Sequence, residues 1–281
     1  MILITGATGS IGALVVERLL AHGERPRIFV RDEAKARARF GERVDLAVGD
    51  LTDGASLMKA LKGVERGLLL NAGPELAARD ALAAMAARAV GAAHLVKLST
   101  ADAAHGVGTG PWHLRGEHSL RESGVGFTFV RPSGFMNNAL AWASAVRGGD
   151  IVRGATGDGR IPFIHAHDIA DVITLALTNR SHDGATLTIT GPETLSYGEM
   201  VAKIGDALGR TLTFLVIPED EERQRWLARG ETEESVDYHL SIFRAIRDGI
   251  LSDVTDTIPR LLHRPATSFE QWAQQNVAAF R

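Results

Sequence analysis

Residues 2–12 read ILITGATGSIG. An apolar run, Ile2 to Thr5, leads into glycines at 6, 9 and 12, and Ile11, Leu14, Val15, Arg18 and Leu19 then recur at helical spacing. A strand, a glycine-rich turn and a helix in that order suit a phosphate-bearing ligand. Gly6 permits the tight turn, Gly9 lets the backbone approach a pyrophosphate, and Gly12 allows the helix to pack on the strand. Free N–H groups at the helix start, around Thr8, Ser10 and Ile11, attract the phosphates. Without a ligand the same residues would make only a tight turn.

Working outward, short apolar runs alternate with helix-period stretches. The strand candidates are 2–5, 27–30, 44–48, 67–70, 94–98 and 126–130, and the helices lie near 10–22, 33–39, 54–62, 75–90 and 112–123. Continuous apolar strands separated by helices imply a parallel sheet covered on both faces. The fold class is therefore α/β, a doubly wound parallel Rossmann-type sheet with a smaller C-terminal α/β substrate lobe. Residues 1–131 form the nucleotide domain. Residues 132–281 are mainly the lobe, with some segments returning to the sheet. The lobe is expected to contain a helix over about 167–178, a strand at 185–190 and a helix capped by Ser196. Residues 219–247 read as a charged helical pair with Trp226, Leu227 and Tyr238 on an apolar side. It is either a solvated surface or a lid over a cleft.

Composition narrows the partners. Lys and Arg total 31 against 34 Asp and Glu, a net charge of −3, which gives no global attraction to nucleic acid or an anionic membrane. The expected partner is a small molecule. With no cysteine there is no disulfide, thiolate nucleophile or iron–sulfur ligation. MILIT at 1–5 lacks a basic leader, and no apolar run reaches the roughly 18 residues of a membrane span. A cytoplasmic protein is the expectation.

The second strand ends in FVRDEAK, residues 29–35. A carboxylate at this edge favours ribose hydroxyls, whereas an arginine pairs with a 2′-phosphate. Arg31 precedes Asp32, so the reading favours NADP over NAD, with Lys35 as an auxiliary cation. Asp50 and Leu51 follow the third strand and are candidates for the adenine, though Asp50 equally suits a turn cap. Asn71, Ala72 and Gly73 end the fourth strand on the carboxyl side, where nucleotides bind.

These residues lead to a resemblance. GATGSIG at 6–12, VRD at 30–32, GDL at 49–51, SGVGFTFVRPSGFMNN at 123–138, IPFIHAHDIADV at 161–172 and TITGPETLSYGEM at 188–200 resemble the NmrA-like, quinone oxidoreductase-like group of atypical short-chain dehydrogenase/reductases over essentially the whole chain. The resemblance implies that Phe135, Met136 and Asn137 lie near the nicotinamide and contact substrate. It also places His165 to Asp168 at a helix start below the cleft, and by analogy it suggests a homodimer. The spacing of His165, His167 and Asp168 does not gather metal ligands, and Asp168 is expected as a helix N-cap.

Orthodox members of the superfamily use Tyr-x-x-x-Lys on the helix after the fifth strand. Here Tyr197 is followed four residues later by Val201, and Tyr238 by Ile242, so that pair is missing. Ser99 and Thr100 remain at the strand end as candidates to bind a substrate oxygen. On the next helix His113 and Glu117 stand four apart, with His113 as a proton donor or substrate contact and Glu117 as its orienter. In the alternative, His113 only packs and contacts Glu117. His105, in a Gly-rich loop, is a second candidate. The leading expectation is an NADPH-dependent reductase passing hydride to a small apolar conjugated or quinone-like acceptor, which needs little general-acid help. The alternatives are a non-catalytic NADP(H) sensor and an NADP(H)-assisted isomerase or cyclase.

Overall fold

A computed structural model describes all residues, 1–281. Through the first half it alternates β1 (Ile2–Thr5), α1 (Ser10–Ala21), β2 (Arg27–Val30), α2 (Glu33–Phe40), β3 (Asp45–Val48), α3 (Gly54–Leu61), β4 (Arg66–Leu69), α4 (Leu76–Val90), β5 (His94–Leu98), α5 (Gly110–Ser123) and β6 (Gly126–Pro132). Then follow α6 (Ala143–Gly148), β7 (Ile151–Gly154), β8 (Arg160–Ile161), α7 (Ala166–Thr178), β9 (Thr186–Ile189), β10 (Leu195–Ser196), α8 (Tyr197–Leu208), β11 (Thr213–Val216), α9 (Glu219–Leu227), α10 (Glu233–Arg247), α11 (Thr257–Leu262) and α12 (Phe269–Asn276).

The chain divides into two compact units, each discontinuous in sequence. The first comprises 1–103, 111–131 and 166–188; the second comprises 104–110, 132–165 and 189–281. In the first, seven strands run in the order β3-β2-β1-β4-β5-β6-β9. Every residue of β1, β4 and β5 is buried, as a parallel sheet covered on both faces requires. The strand order reverses between β1 and β4, and the crevice at such a switch point is where doubly wound sheets bind ligands.

Two elements read as part of the lobe are the segments by which residues 132–281 return to the first unit, as was expected of some of them. The strand at 185–190 belongs to the seven-stranded sheet as β9, against β6. The helix at 167–178 likewise returns to the first unit as α7, where it packs along α1 and the Arg18 guanidinium pairs with Asp171. Asp168 is not an N-cap, because α7 begins two residues earlier and leaves it fully buried in the first turn.

The second unit pairs β7 with β11 in parallel and β8 with β10 antiparallel. Ser196 caps α8 through a reciprocal capping box with Glu199, the arrangement that satisfies two orphan helix donors at once. Its core centres on Trp272, Phe269, Phe280, Val146 and Val201.

Candidate nucleotide and active site

Gly6 takes a left-handed φ of 62°, and its carbonyl accepts from Gly9 N–H at 3.0 Å, closing the turn between β1 and α1. A Cβ at Gly12 would stand 2.2 Å from the Gly6 carbonyl oxygen, and one at Gly6 would stand 2.8 Å from Leu70 Cδ2. Only glycine lets this turn approach the helix so closely. α1 has Gly9 at its N-cap, with no side chain capping it and no acidic residue in its first turn. Its N–H groups and positive dipole end are therefore free for an anion.

A cavity of about 370 Å³ opens beside this turn. Gly6, Thr8, Gly9, Arg31, Asp50, Leu51, Asn71 and Ala72 line it, joined by Phe29, Gly49 and Arg79. Arg31 is 84% exposed, with its guanidinium 4.0 Å from Asp50. Asp32, the carboxylate that would compete for a ribose, is engaged elsewhere: it caps α2 by accepting from Lys35 N–H at 2.9 Å. Asp50 accepts from the Thr52 N–H at 2.9 Å and hydroxyl at 2.8 Å, and these bonds hold its carboxyl below the usual range. It is thus a turn cap that also lines the cavity.

Beyond the end of β4 a buried polar chain leads away from this cavity. Asn71 Nδ2 donates to Asp80 at 2.6 Å, Asp80 pairs with Lys97 Nζ at 2.6 Å with both side chains almost wholly buried, and Lys97 lies 3.3 Å from His113 Nδ1. Burial pushes the Asp80 carboxyl up and the Lys97 charge opposes that push. An ammonium has only N–H groups to offer, so His113 Nδ1 accepts and the imidazole proton resides on Nε2. Burial, reinforced by the Lys97 charge, lowers the His113 pKa to about 3.

This corrects the expectation for α5 in two respects. His113 is a neutral imidazole at physiological pH and not a cationic donor. Glu117 does not orient it: fully buried, Glu117 accepts from Arg131 at 2.8 and 2.6 Å, from Arg121 at 3.3 Å and from the Ser99 hydroxyl at 2.7 Å. A buried carboxylate draws cations and strong donors, and two guanidiniums outcompete a neutral ring. Ser99 is buried with its proton committed to Glu117. Thr100 is half-buried, and its hydroxyl accepts from Asp102 N–H.

A family model described as NAD(P)H-binding matches residues 6–180. The chain belongs to this NAD(P)H-binding family. It is 34% identical to the NAD(P)H azoreductase of Xenophilus azovorans, across all of this chain and 99% of that one. With a (4-alkanoyl-5-oxo-2,5-dihydrofuran-3-yl)methyl phosphate reductase of Streptomyces griseus it shares 35% identity, over 100% of this chain and 99% of the relative. Among solved structures, the Escherichia coli NADPH-dependent quinone oxidoreductase complexed with NADPH matches with a TM-score of 0.90 at 26% identity, covering 98% of this chain and 99% of that one. These matches agree with the atypical short-chain dehydrogenase/reductase resemblance carried by the sequence.

The cavity suits the dinucleotide that this NAD(P)H-binding family takes, since a Cβ would fill the Gly6–Gly12 cradle and the α1 N–H groups lack side-chain partners. Ser10, Ile11, Gly12, Lys35 and Gly73 do not line it: Ile11 and Gly12 face the interior, and Ser10, Lys35 and Gly73 are exposed. In the second unit, Met136 is buried in the core, Phe135 bridges Ile164 through its backbone, and Asn137 accepts from Trp272 Nε1 at 2.8 Å. His105 is exposed in its loop. The sequence reading passed over Arg79, Asp80, Lys97 and Gly116. Lys97 in HLVKL and Asp80 in AARDALAAM carried a signal: a lone charge inside an otherwise apolar element that must be buried requires a partner.

Proposed function

We propose that the chain is an NADPH-dependent reductase acting on quinone-like or azo-like acceptors. The observation that carries the cofactor preference is the contrast at the end of β2, where exposed Arg31 lines the cavity while Asp32, which caps α2, does not. An arginine in that place meets a 2′-phosphate with two N–H donors; a free carboxylate would repel it. The acceptor class rests on the relatives named azoreductase and quinone oxidoreductase.

When bound, the dihydronicotinamide supplies the hydride. In this reading the residues of the chain hold and orient. Arg31 neutralises the 2′-phosphate, and the α1 N–H groups hold the pyrophosphate. His113, kept neutral with its proton on Nε2 by Lys97 and Asp80, donates a hydrogen bond to the acceptor oxygen or nitrogen as negative charge develops there. The proton completing the reduction comes from water, which electron-poor acceptors allow. A Tyr-x-x-x-Lys pair is unnecessary to this scheme and is missing from the sequence.

The test follows absorbance at 340 nm with 1,4-naphthoquinone and an azo dye, using NADPH and NADH in parallel. NADPH is expected to give the larger kcat/KM, and Arg31→Glu to lower it for NADPH by at least about tenfold, in line with loss of a charge-assisted pair and its replacement by a repulsive one. Failure to oxidise NADPH with any of a panel of quinones, enones and azo compounds would remove the proposal.

A further inference from the structure

A second cavity, of about 480 Å³, is formed wholly within the second unit. Its walls are aromatic. Tyr197 sits at the hub, with ring centroids of Trp142 at 5.2 Å, Phe163 at 5.7 Å and Phe243 at 5.8 Å. Trp226 of α9 extends the wall from 5.3 Å beyond Phe243. Rings arranged in this way favour a flat conjugated ligand over an aliphatic one.

The charges lining the same cavity do not cancel. Glu222 is 4% exposed and pairs with Arg225, while Arg229 also acts on its carboxyl electrostatically. Glu231 is occupied by the Ser235 hydroxyl at 2.7 Å and by His239 at 3.5 Å. Three guanidiniums, of Arg153, Arg225 and Arg229, thus stand against two carboxylates in the lining, a surplus of one positive charge. Arg153 and Arg229 line the cavity, are exposed, and form no ion pair. An aromatic box with surplus guanidinium at its edge fits a ring that carries an anion.

We propose that this cavity binds planar aromatic anions, such as aryl sulfonates or aryl carboxylates, the rings against Trp142, Tyr197 and Trp226 and the anion on Arg153 and Arg229.

Calorimetric titration of the intact protein without cofactor, using naphthalene-2-sulfonate and its uncharged isostere naphthalene-2-sulfonamide, tests the site. The sulfonate is expected to bind about tenfold more tightly, the range open to two exposed charge-assisted contacts. Arg153→Gln with Arg229→Gln should bring it to the affinity of the sulfonamide, and because both arginines are exposed the double variant keeps its fold. Trp226→Leu should weaken both ligands, and Arg31→Gln neither. Equal affinity for the two probes, or loss of sulfonate binding through Arg31→Gln in place of the double variant, overturns the proposal, the latter by assigning the anion to the nucleotide cavity. Sulfonate binding in a protein that oxidises no NADPH would leave this site standing and remove the reductase reading; naphthoquinone turnover without any preference for the sulfonate would do the reverse.

Discussion

Lys97 is 1% exposed in the middle of a parallel sheet, a position tolerable only because Asp80 faces it and His113 accepts from it. Lys97→Met would strand the Asp80 carboxylate, and removing one member of a buried pair costs about 3–5 kcal/mol; urea unfolding at pH 7.5 measures it. The same environment fixes how His113 titrates. Its pKa of about 3 means that kcat/KM should run flat through pH 6.5, whereas a histidine acid with an ordinary pKa would show an inflection there. His94 responds similarly at the opposite strand end: burial and the Arg66 charge lower it to about 4, and its Nε2 lies 2.9 Å from the Thr128 hydroxyl. Both folded-state values are depressed below the unfolded 6.5, so unfolding takes up protons as pH falls from about 6.5 toward 4. Stability should decline over that window, by up to about 1.4 kcal/mol per pH unit for each histidine, and His94→Gln should make the decline shallower in a urea series. Arg31 and the glycine turn were legible in the sequence because local spacing marks them. The Lys97–His113 contact was not, because it joins a strand to a helix by packing and carries no fixed spacing.

At the scale of the element, α5 depends on a missing side chain. A Cβ at Gly116 would lie 2.0 Å from Asp80 Oδ2, and that carboxylate cannot retreat without leaving Lys97. Gly116→Ala should therefore destabilise by about 1–3 kcal/mol, the usual cost of forcing extra volume into a packed interior. Gly148, at the end of α6, meets nothing within 4 Å, and there the same substitution should stabilise by up to about 1 kcal/mol through helix propensity. Opposite signs in thermal unfolding of the two variants would separate steric need from backbone entropy. The strands and helices of the first half were legible because apolar runs and helical spacing alternate cleanly as far as Pro132. Beyond it the periodicity still marked β9 and α7 as a strand and a helix. Assigning them to a sheet needs knowledge of which edge is unpaired, and β6 offers that edge only once the other strands are in place.

Across the whole molecule, the first unit is assembled from three stretches of chain, 1–103, 111–131 and 166–188. The last stretch supplies α7, whose Ile169, Val172, Ile173 and Leu177 are at most 1% exposed. It also supplies Asp183, which binds the buried Arg66 at 2.6 Å, and β9, which covers the β6 edge. Burying each of those four side chains stabilises by about 1.5–3 kcal/mol. Together they rival the roughly 5–15 kcal/mol net stability of a whole domain, before the uncovered edge and the orphaned Arg66 are counted. A fragment of residues 1–131 contains the glycine turn, Arg31, Asp50 and Asn71, every cavity residue of the nucleotide site, yet it should show no cooperative unfolding transition and no NADPH binding by calorimetry. Residues 1–190 keep all three stretches and should recover both, with 132–165 as an unpaired insertion. Cooperative melting and NADPH binding by 1–131 alone would mean that the first six strands form a sufficient core, and that α7 and β9 add stability to a unit already complete without them.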